Sequence, residues 1–299
     1  MRTLSAELTE AHQLLTTMGE HMPVDDRPEH VRHRDAYRRW SEQFPVPADA
    51  VITEAPGFPG RTVTTPASTA DRVLLYFHGG GYTEGASYNH REMGARLATA
   101  ARGVVHLPDY PLAPEHRFPA ALDAAVVAYR AVLTTVQADR IAVGGDSAGG
   151  GLSLALLLRL KELGLALPAA AVPVSPWTDL TVSAPSFADR ADRDPFVTQE
   201  GLRSFAANYL GAHDPRDPLA SPLFGDLTGL PPIHIEVGTE EVMIDDSLNF
   251  HERALAAGVA SELVVTGGAP HIWQHFASFL PEAAASIDRI GDFVREHVA

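Results

Sequence analysis

The 299-residue chain contains no cysteine. Disulfides, thiolate metal sites and a cysteine nucleophile are excluded together, so the fold must rest on packing. Basic residues are few: 23 Lys and Arg stand against 38 Asp and Glu, a formal charge of −15 with the histidines neutral. That balance opposes binding to phosphate backbones and anionic lipid, and no nucleic-acid partner is expected. No run of about 18 apolar residues occurs, and the opening Met1-Arg2-Thr3-Leu4-Ser5-Ala6-Glu7 lacks the apolar core of a signal peptide. Stable membrane insertion is not expected, and a cytoplasmic location is. Internal repeats and low-complexity tracts are also lacking. What is present is 45% hydrophobic content, enough for a substantial core in one large domain.

Strand and helix patterns alternate through most of the chain. After β-rich pieces broken by Pro56, Gly57, Pro59 and Gly60, strands are expected at Arg72 to Phe77, Gly103 to Leu107, Arg140 to Val143, Ala169 to Val174, Pro232 to Val237 and Ser261 to Val265. Helical patterns fall at His90 to Ala101, Ala120 to Leu133, Leu152 to Leu160, Asp246 to Ala257 and Glu282 to His297. Such alternation implies an α/β fold with a mostly parallel central sheet and helices on both faces. Two stretches break the rhythm. In residues 1–48, Leu4, Leu8, Ala11, Leu15, Met18 and Met22 form one helical stripe, and Val31, Tyr37, Trp40 and Phe44 suggest a second helix. This pair either packs on the body or walls a pocket. Residues 178–231 carry repeated prolines around a helix candidate at Glu200 to Leu210, and read as a second cap segment on a catalytic domain spanning 49–299.

Gly145-Asp146-Ser147-Ala148-Gly149 lies between the strand ending at Val143 and the apolar run from Leu152. A strand that reverses this sharply into a helix brings backbone against backbone, which favours glycine on both sides of an exposed serine. Ser147 is therefore the candidate nucleophile, with the Ala148 N–H at the positive end of the helix, able to donate to an oxyanion. Upstream, His78-Gly79-Gly80-Gly81 follows the buried strand Val73 to Phe77. A glycine run at that strand end lets N–H groups converge on one point, a second part of an oxyanion hole, while His78 serves the loop structurally.

On a sheet of this kind the partners follow the nucleophile in the order serine, acid, histidine. Of the later histidines, His234, His251 and His297 fall inside elements and His213 in the proline-rich stretch. His271 lies in a loop between the last strand and the last helix, and is the candidate base, with His275 in reserve. The acid is sought in Gly238 to Asp246. Glu241 is chosen because it lies near the strand tip, whereas Asp245 and Asp246 fall where a helix begins and carboxylates cap N–H groups. Trp177, Phe196, Phe205, Tyr209 and Trp273 are bulky residues in segments expected to border the substrate pocket.

With these motifs, and with Asp109-Tyr110-Pro111-Leu112-Ala113-Pro114-Glu115-His116, Ser175-Pro176-Trp177-Thr178-Asp179-Leu180 and Asp194-Pro195-Phe196, the chain from about Leu74 onward resembles the bacterial hormone-sensitive-lipase-like (family IV) esterases of the α/β-hydrolase superfamily. The resemblance implies a cofactor-free, metal-free carboxylic ester hydrolase with an N-terminal helical cap. It further implies an oxyanion hole from Gly79, Gly80 and Ala148, structural roles for Asp109 and Glu115, a small-molecule ester as substrate, and a homodimer through an edge strand near the C-terminus. Glu241 stands where many relatives carry aspartate. Pro111 replaces a frequent arginine, as in the branch with monoterpene lactone hydrolases, so lactone hydrolase and amidase remain as alternative activities. Plant hormone receptors of similar sequence have lost the base, and His271 speaks against a receptor here.

Overall fold

The sheet that organises the molecule alternates its side chains between two cores. In the computed structural model, which describes residues 4–299 and so leaves out Met1, Arg2 and Thr3 of the expected cap segment, strand β3 (Thr69–Phe77) sends Val73, Leu75 and Phe77 into one core and Leu74 and Tyr76 into the other. Strand β5 (Ile141–Asp146) does the same with Ile141 and Val143 against Ala142. Successive residues of a strand face opposite ways, so strands covered on both faces must be apolar throughout, and this is why these segments lack the polar alternation of a half-exposed sheet.

The remaining strands are β1 (Val51–Glu54), β2 (Gly60–Thr64), β4 (Gly103–Pro108), β6 (Ala170–Val174), β7 (Ile233–Gly238) and β8 (Ser261–Thr266). They join one eight-stranded sheet in the order β1-β2-β4-β3-β5-β6-β7-β8. The hairpin partners β1 and β2 run antiparallel, as do β2 and β4, while all pairs from β4 through β3 to β8 are parallel. Helices α4 (Ala120–Leu133), α5 (Ala148–Glu162) and α8 (Ile244–Ala256) supply one core; α3 (Arg91–Ala101) and α9 (Pro281–His297) supply the other. Among the described residues no helix is long and apolar enough to cross a membrane.

The N-terminal stripe forms α1 (Ala6–Thr16) and a 3-10 turn, followed by α2 (Glu29–Ser41). Ser5 caps α1 by accepting the Leu8 N–H at 3.1 Å. Leu8, Ala11 and Leu15 bury against the second core with Tyr37 and Trp40 of α2, and Trp40 Nε1 ties the two helices by donating to Leu14 O at 2.9 Å. Further on, residues 178–231 contain α6 (Ser186–Asp189) and α7 (Gln199–Leu210), the latter capped by Thr198, which accepts the Gly201 N–H at 3.1 Å. Both segments lie across the C-terminal ends of the parallel strands, where an open α/β sheet binds its ligands.

Candidate active site

Each residue of the site leaves the sheet at the C-terminal end of a parallel strand. Ser147 follows β5 directly, and α5 begins at the very next residue. The turn is thus a single residue, tighter than the apolar pattern from Leu152 suggested, and Ser147 adopts φ 54°, ψ −121°, a conformation that costs an L-residue on the order of 1–3 kcal/mol. Its backbone is held from both sides, donating to Val174 O and accepting from the Trp177 N–H, each at 2.9 Å. The flanking glycines are required by contact: a Cβ on Gly145 would come within 2.4 Å of the Gly149 carbonyl, and one on Gly149 within 2.1 Å of Phe77 O. The serine side chain stands at the bottom of a cavity of about 380 Å³ that also opens on Gly80, Gly81 and His271.

Glu241 lies in the loop after β7 and His271 in the loop after β8. His271 Nδ1 donates to Glu241 Oε2 at 2.8 Å, with both side chains almost wholly buried. The other carboxylate oxygen of Glu241, Oε1, is occupied as well, accepting the Gly238 N–H at 2.6 Å and the Ser175 hydroxyl at 2.7 Å. These bonds leave Glu241 one direction in which to hold the imidazole. Burial lifts the Glu241 carboxyl above its ordinary value against those hydrogen bonds. For His271, burial disfavours the cation, yet the hydrogen bond and charge of Glu241 prevail, and its pKa is raised. With Nδ1 committed, Nε2 is the nitrogen left to act toward Ser147.

The glycine loop is braced from below. His78 stacks on Tyr110 at 4.1 Å and donates through Nδ1 to Gly79 O at 2.8 Å, while the Tyr110 hydroxyl donates to His78 O at 2.8 Å. Gly80 lines the cavity; Gly79 and Ala148 sit beside it, Ala148 as the first residue of α5, whose N–H has no intrahelical acceptor. Among the described residues one cluster has metal-ligand chemistry, His90, Asp146 and His275, with ligand atoms within 4.8 Å of one another. It is buried beneath the loop and does not line the cavity. His90 Nε2 lies 2.8 Å from Asp146 Oδ1, and although burial pushes the Asp146 carboxyl up, His90 more than offsets this and its pKa is lowered. His275, the reserve base, is pushed down to about 3 by burial and the neighbouring His90, and faces Tyr37 rather than Ser147.

The rival acids have other tasks. Asp245 Oδ2 accepts the Ser186 N–H at 2.9 Å, and Asp246 Oδ2 accepts the N–H groups of Thr178 and Asp179 at 2.7 and 2.9 Å. Asp246 holds the loop after β6 and Asp245 holds the first N–H of α6, where the sequence suggested capping of their own helix. Glu240 takes the Thr239 hydroxyl at 2.7 Å. Asp109 accepts from Ser87 and Glu115 from Arg34, away from the cavity.

Of the five aromatic residues expected at the pocket, Phe196 and Phe205 line the cavity and the others do not. Trp177 is fully buried in the first core with its indole N–H on Asp179 O at 3.1 Å; Tyr209 stacks on Tyr82 at 3.9 Å; Trp273 is buried in the second core. Placing a residue in a bordering segment does not say which way its ring turns, and large rings gain most from full burial. The wall is instead largely aliphatic: Leu15, Met18 and Met22 from the N-terminal stripe, Val197 and Leu202 from the second segment, and Ile272 beside the histidine. The sequence left two uses of the stripe open, packing on the body and walling a pocket, and Leu15 and Met18 do both. His33, Tyr37 and Glu84 also line the cavity, and no motif announced them.

Residues 74–275 match the family model of the alpha/beta hydrolase fold. The chain is 41% identical over 266 residues to an acetyl-hydrolase of Streptomyces hygroscopicus, with 88% of each chain covered, and 36% identical over 239 residues to an esterase of Acinetobacter venetianus, with 79% of this chain and 78% of the relative covered. Among solved structures, an esterase from the bacterial hormone-sensitive lipase (HSL) family matches at 40% identity with a TM-score of 0.94 over 100% of both chains. The chain belongs to the hormone-sensitive-lipase-like (family IV) esterases of the α/β-hydrolase superfamily, a family of carboxylic ester hydrolases.

Proposed function

We propose that the protein is a serine carboxylesterase that cleaves short- to medium-chain esters through an acyl-enzyme, with Ser147 as nucleophile, His271 as base and Glu241 as the acid that orients it. The observation that carries this reading is the 2.8 Å bond from His271 Nδ1 to a carboxylate that is itself fixed by Ser175 and Gly238, beside a cavity that opens on Ser147. His271 Nε2 takes the hydroxyl proton as Ser147 Oγ attacks the ester carbonyl. Negative charge on the carbonyl oxygen is stabilised by the N–H groups of Gly79, Gly80 and Ala148. Collapse expels the alcohol, which receives the proton from His271; water then repeats the sequence on the acyl-enzyme and frees the acid.

The residue segments 1–48 and 178–231 act as a cap over a catalytic domain of 49–299. Support comes from the aliphatic wall they contribute and from three anchors to the loops beneath. His12 Nε2 donates to Gly268 O at 3.0 Å, Arg190 donates to Thr239 O, and Asp194 accepts the Val242 N–H at 3.0 Å. A closed apolar wall and a relative named for acetyl hydrolysis both favour small acyl groups. The edge strand β8, with Val265 exposed, is the surface through which a homodimer would form. A panel of p-nitrophenyl esters from acetate to palmitate, with simple lactones and anilides alongside, tests the reading. Acetate to hexanoate esters should be cleaved fastest, and faster turnover of palmitate, of a lactone or of an anilide would overturn it.

A further inference from the structure

Apart from the groups assigned to catalysis, the cavity wall is largely apolar; its polar side chains are those of Thr16, His33, Tyr37, Thr198 and Glu84, and Glu84 supplies the sole carboxylate among its described lining residues. Burying a carboxylate in such a wall is costly unless something compensates it. The structural partner is slight: Glu84 Oε1 accepts from His33 Nδ1 at 3.1 Å, but that imidazole is 40% exposed, and pairs of this kind contribute little to stability. His33 moreover has a second carboxylate, Glu29, 3.7 Å from its other nitrogen. The remaining oxygen of Glu84, Oε2, accepts no hydrogen bond from any described residue and is not sealed off from the cavity.

The place is also built rigidly. Glu84 closes the turn that begins at the glycine loop, its N–H donating to Gly80 O at 2.8 Å. Arg34, next to His33 on α2, donates to Thr83 O at 2.7 Å and to Ala113 O at 2.9 Å, and grips Glu115 with both terminal nitrogens at 2.8 and 2.7 Å. The helix carrying His33 and the loop carrying Glu84 are thereby clamped together, so the carboxylate is held one tight turn away from Gly80 with little freedom left to lose on binding. An acceptor fixed in an apolar cavity close to the reacting carbonyl has the properties of a recognition group.

Resting on the serine-esterase reading, we propose that Glu84, oriented by His33, forms a polar subsite that selects esters bearing a hydroxyl group a few bonds from the scissile carbonyl. The hydroxyl donates to Oε2, a charge-assisted bond made in partial shelter from water. The hydrogen bond from His33 to Glu84 raises the His33 pKa above its ordinary value, and a neutral hydroxyl donor leaves that pair in place. A site built around such a bond discriminates strongly against the analogue that lacks it, since the carboxylate is then left facing a methyl group.

The test compares kcat/KM within two pairs that differ only in hydroxyl against methyl. Ethyl 3-hydroxybutyrate against ethyl 3-methylbutyrate places the group on the acyl side, and 2-hydroxyethyl acetate against propyl acetate places it on the alcohol side. The hydroxyl member of at least one pair should be preferred roughly tenfold to a hundredfold, the range expected for a hydrogen bond to a charged partner. Glu84→Leu should abolish or invert that preference. Should the leucine variant not fold, Glu84→Gln, which keeps an acceptor and removes the charge, should lower the ratio several-fold; as a ratio it is insensitive to the amount of active protein. Equal rates within both pairs, or a preference unchanged in the Glu84 variants, would overturn the subsite alone. No turnover of these esters or of p-nitrophenyl acetate would overturn the esterase reading beneath it.

Discussion

Two histidine–carboxylate pairs stand at the same cavity, which His33, Glu84 and His271 line while Glu241 is buried off it, and their surroundings differ in every respect that matters for chemistry. Glu241 and His271 are at 0% and 2% side-chain exposure, with the second carboxylate oxygen tied down by Ser175 and Gly238 and with His271 lining the cavity alongside Ser147. Glu84 and His33 lie in the wall, at 10% and 40% exposure, with one carboxylate oxygen that accepts no hydrogen bond from a described residue. On the readings proposed here, the same two side chains at nearly the same separation, 2.8 and 3.1 Å, would serve proton transfer in one setting and recognition in the other. Burial and the third partner decide which. Where the carboxylate is saturated, it can only steer the histidine; where it is not, it can receive something from outside.

The comparison is broken most severely at the bottom of the cavity. Ser147→Ala should lower kcat by up to roughly 10⁶-fold with the fold intact, because the serine adds little packing; near-normal turnover in steady-state assays would refute its role. Glu241→Gln keeps shape and removes charge, and should lower kcat by roughly 10³- to 10⁴-fold. Asp245→Asn, altering an acid that only holds the Ser186 N–H, should retain most of its kcat. A dead but folded Asp245 variant would move the acid one helical turn onward.

A smaller effect separates wall from bottom by stability. Trp40 is fully buried between the N-terminal helices and Phe276, so Trp40→Ala should cost about 3–5 kcal/mol in denaturant unfolding, whereas Val127→Ala, at an exposed position on α4, should stay within about 0.5 kcal/mol. A loss below about 1 kcal/mol at Trp40 would mean that the N-terminal helices do not share the main core.

The smallest expected effect is a shift in pH. His271 must be neutral to accept the serine proton, and Glu241 raises its pKa. Activity should therefore fall as the pH drops through a midpoint above about 6.5, the ordinary imidazole value. In Glu241→Gln that acid limb should move to lower pH, since the charge favouring the cation is gone. A limb that stays in place would show that another group titrates.

A candidate nucleophile, base and acid could be named from the sequence because the strand ends restrict residue types. Only glycine fits at 145 and 149, the expected base follows the last parallel strand, and Glu241 lies closer to the end of β7 than Asp245 or Asp246. The walls impose no such restriction. Any aliphatic residue serves at Leu15 or Met22, so the stripe could be seen with its destination left open. On α7, Phe205 reaches the cavity while Tyr209, one turn on, stacks on Tyr82, a difference of direction that composition does not encode. Asp245 and Asp246 differ in detail from the expectation for a related reason: a carboxylate at a helix start is equally suited to its own helix or to a neighbouring segment, and here the start of α6 takes Asp245 and the loop after β6 takes Asp246. Glu84 and His33 are 51 residues apart and meet only through the clamp made by Arg34, a contact that no local pattern reveals.

The account stands on Ser147 being activated by the buried pair. Reaction of the native enzyme with a fluorophosphonate, followed by intact-mass measurement and peptide mapping, tests this directly. One adduct per chain on Ser147 is predicted, formed rapidly in the native protein, far more slowly in Glu241→Gln and not at all in Ser147→Ala. An adduct on another residue, or esterase activity that persists with Ser147 unlabelled, would contradict it.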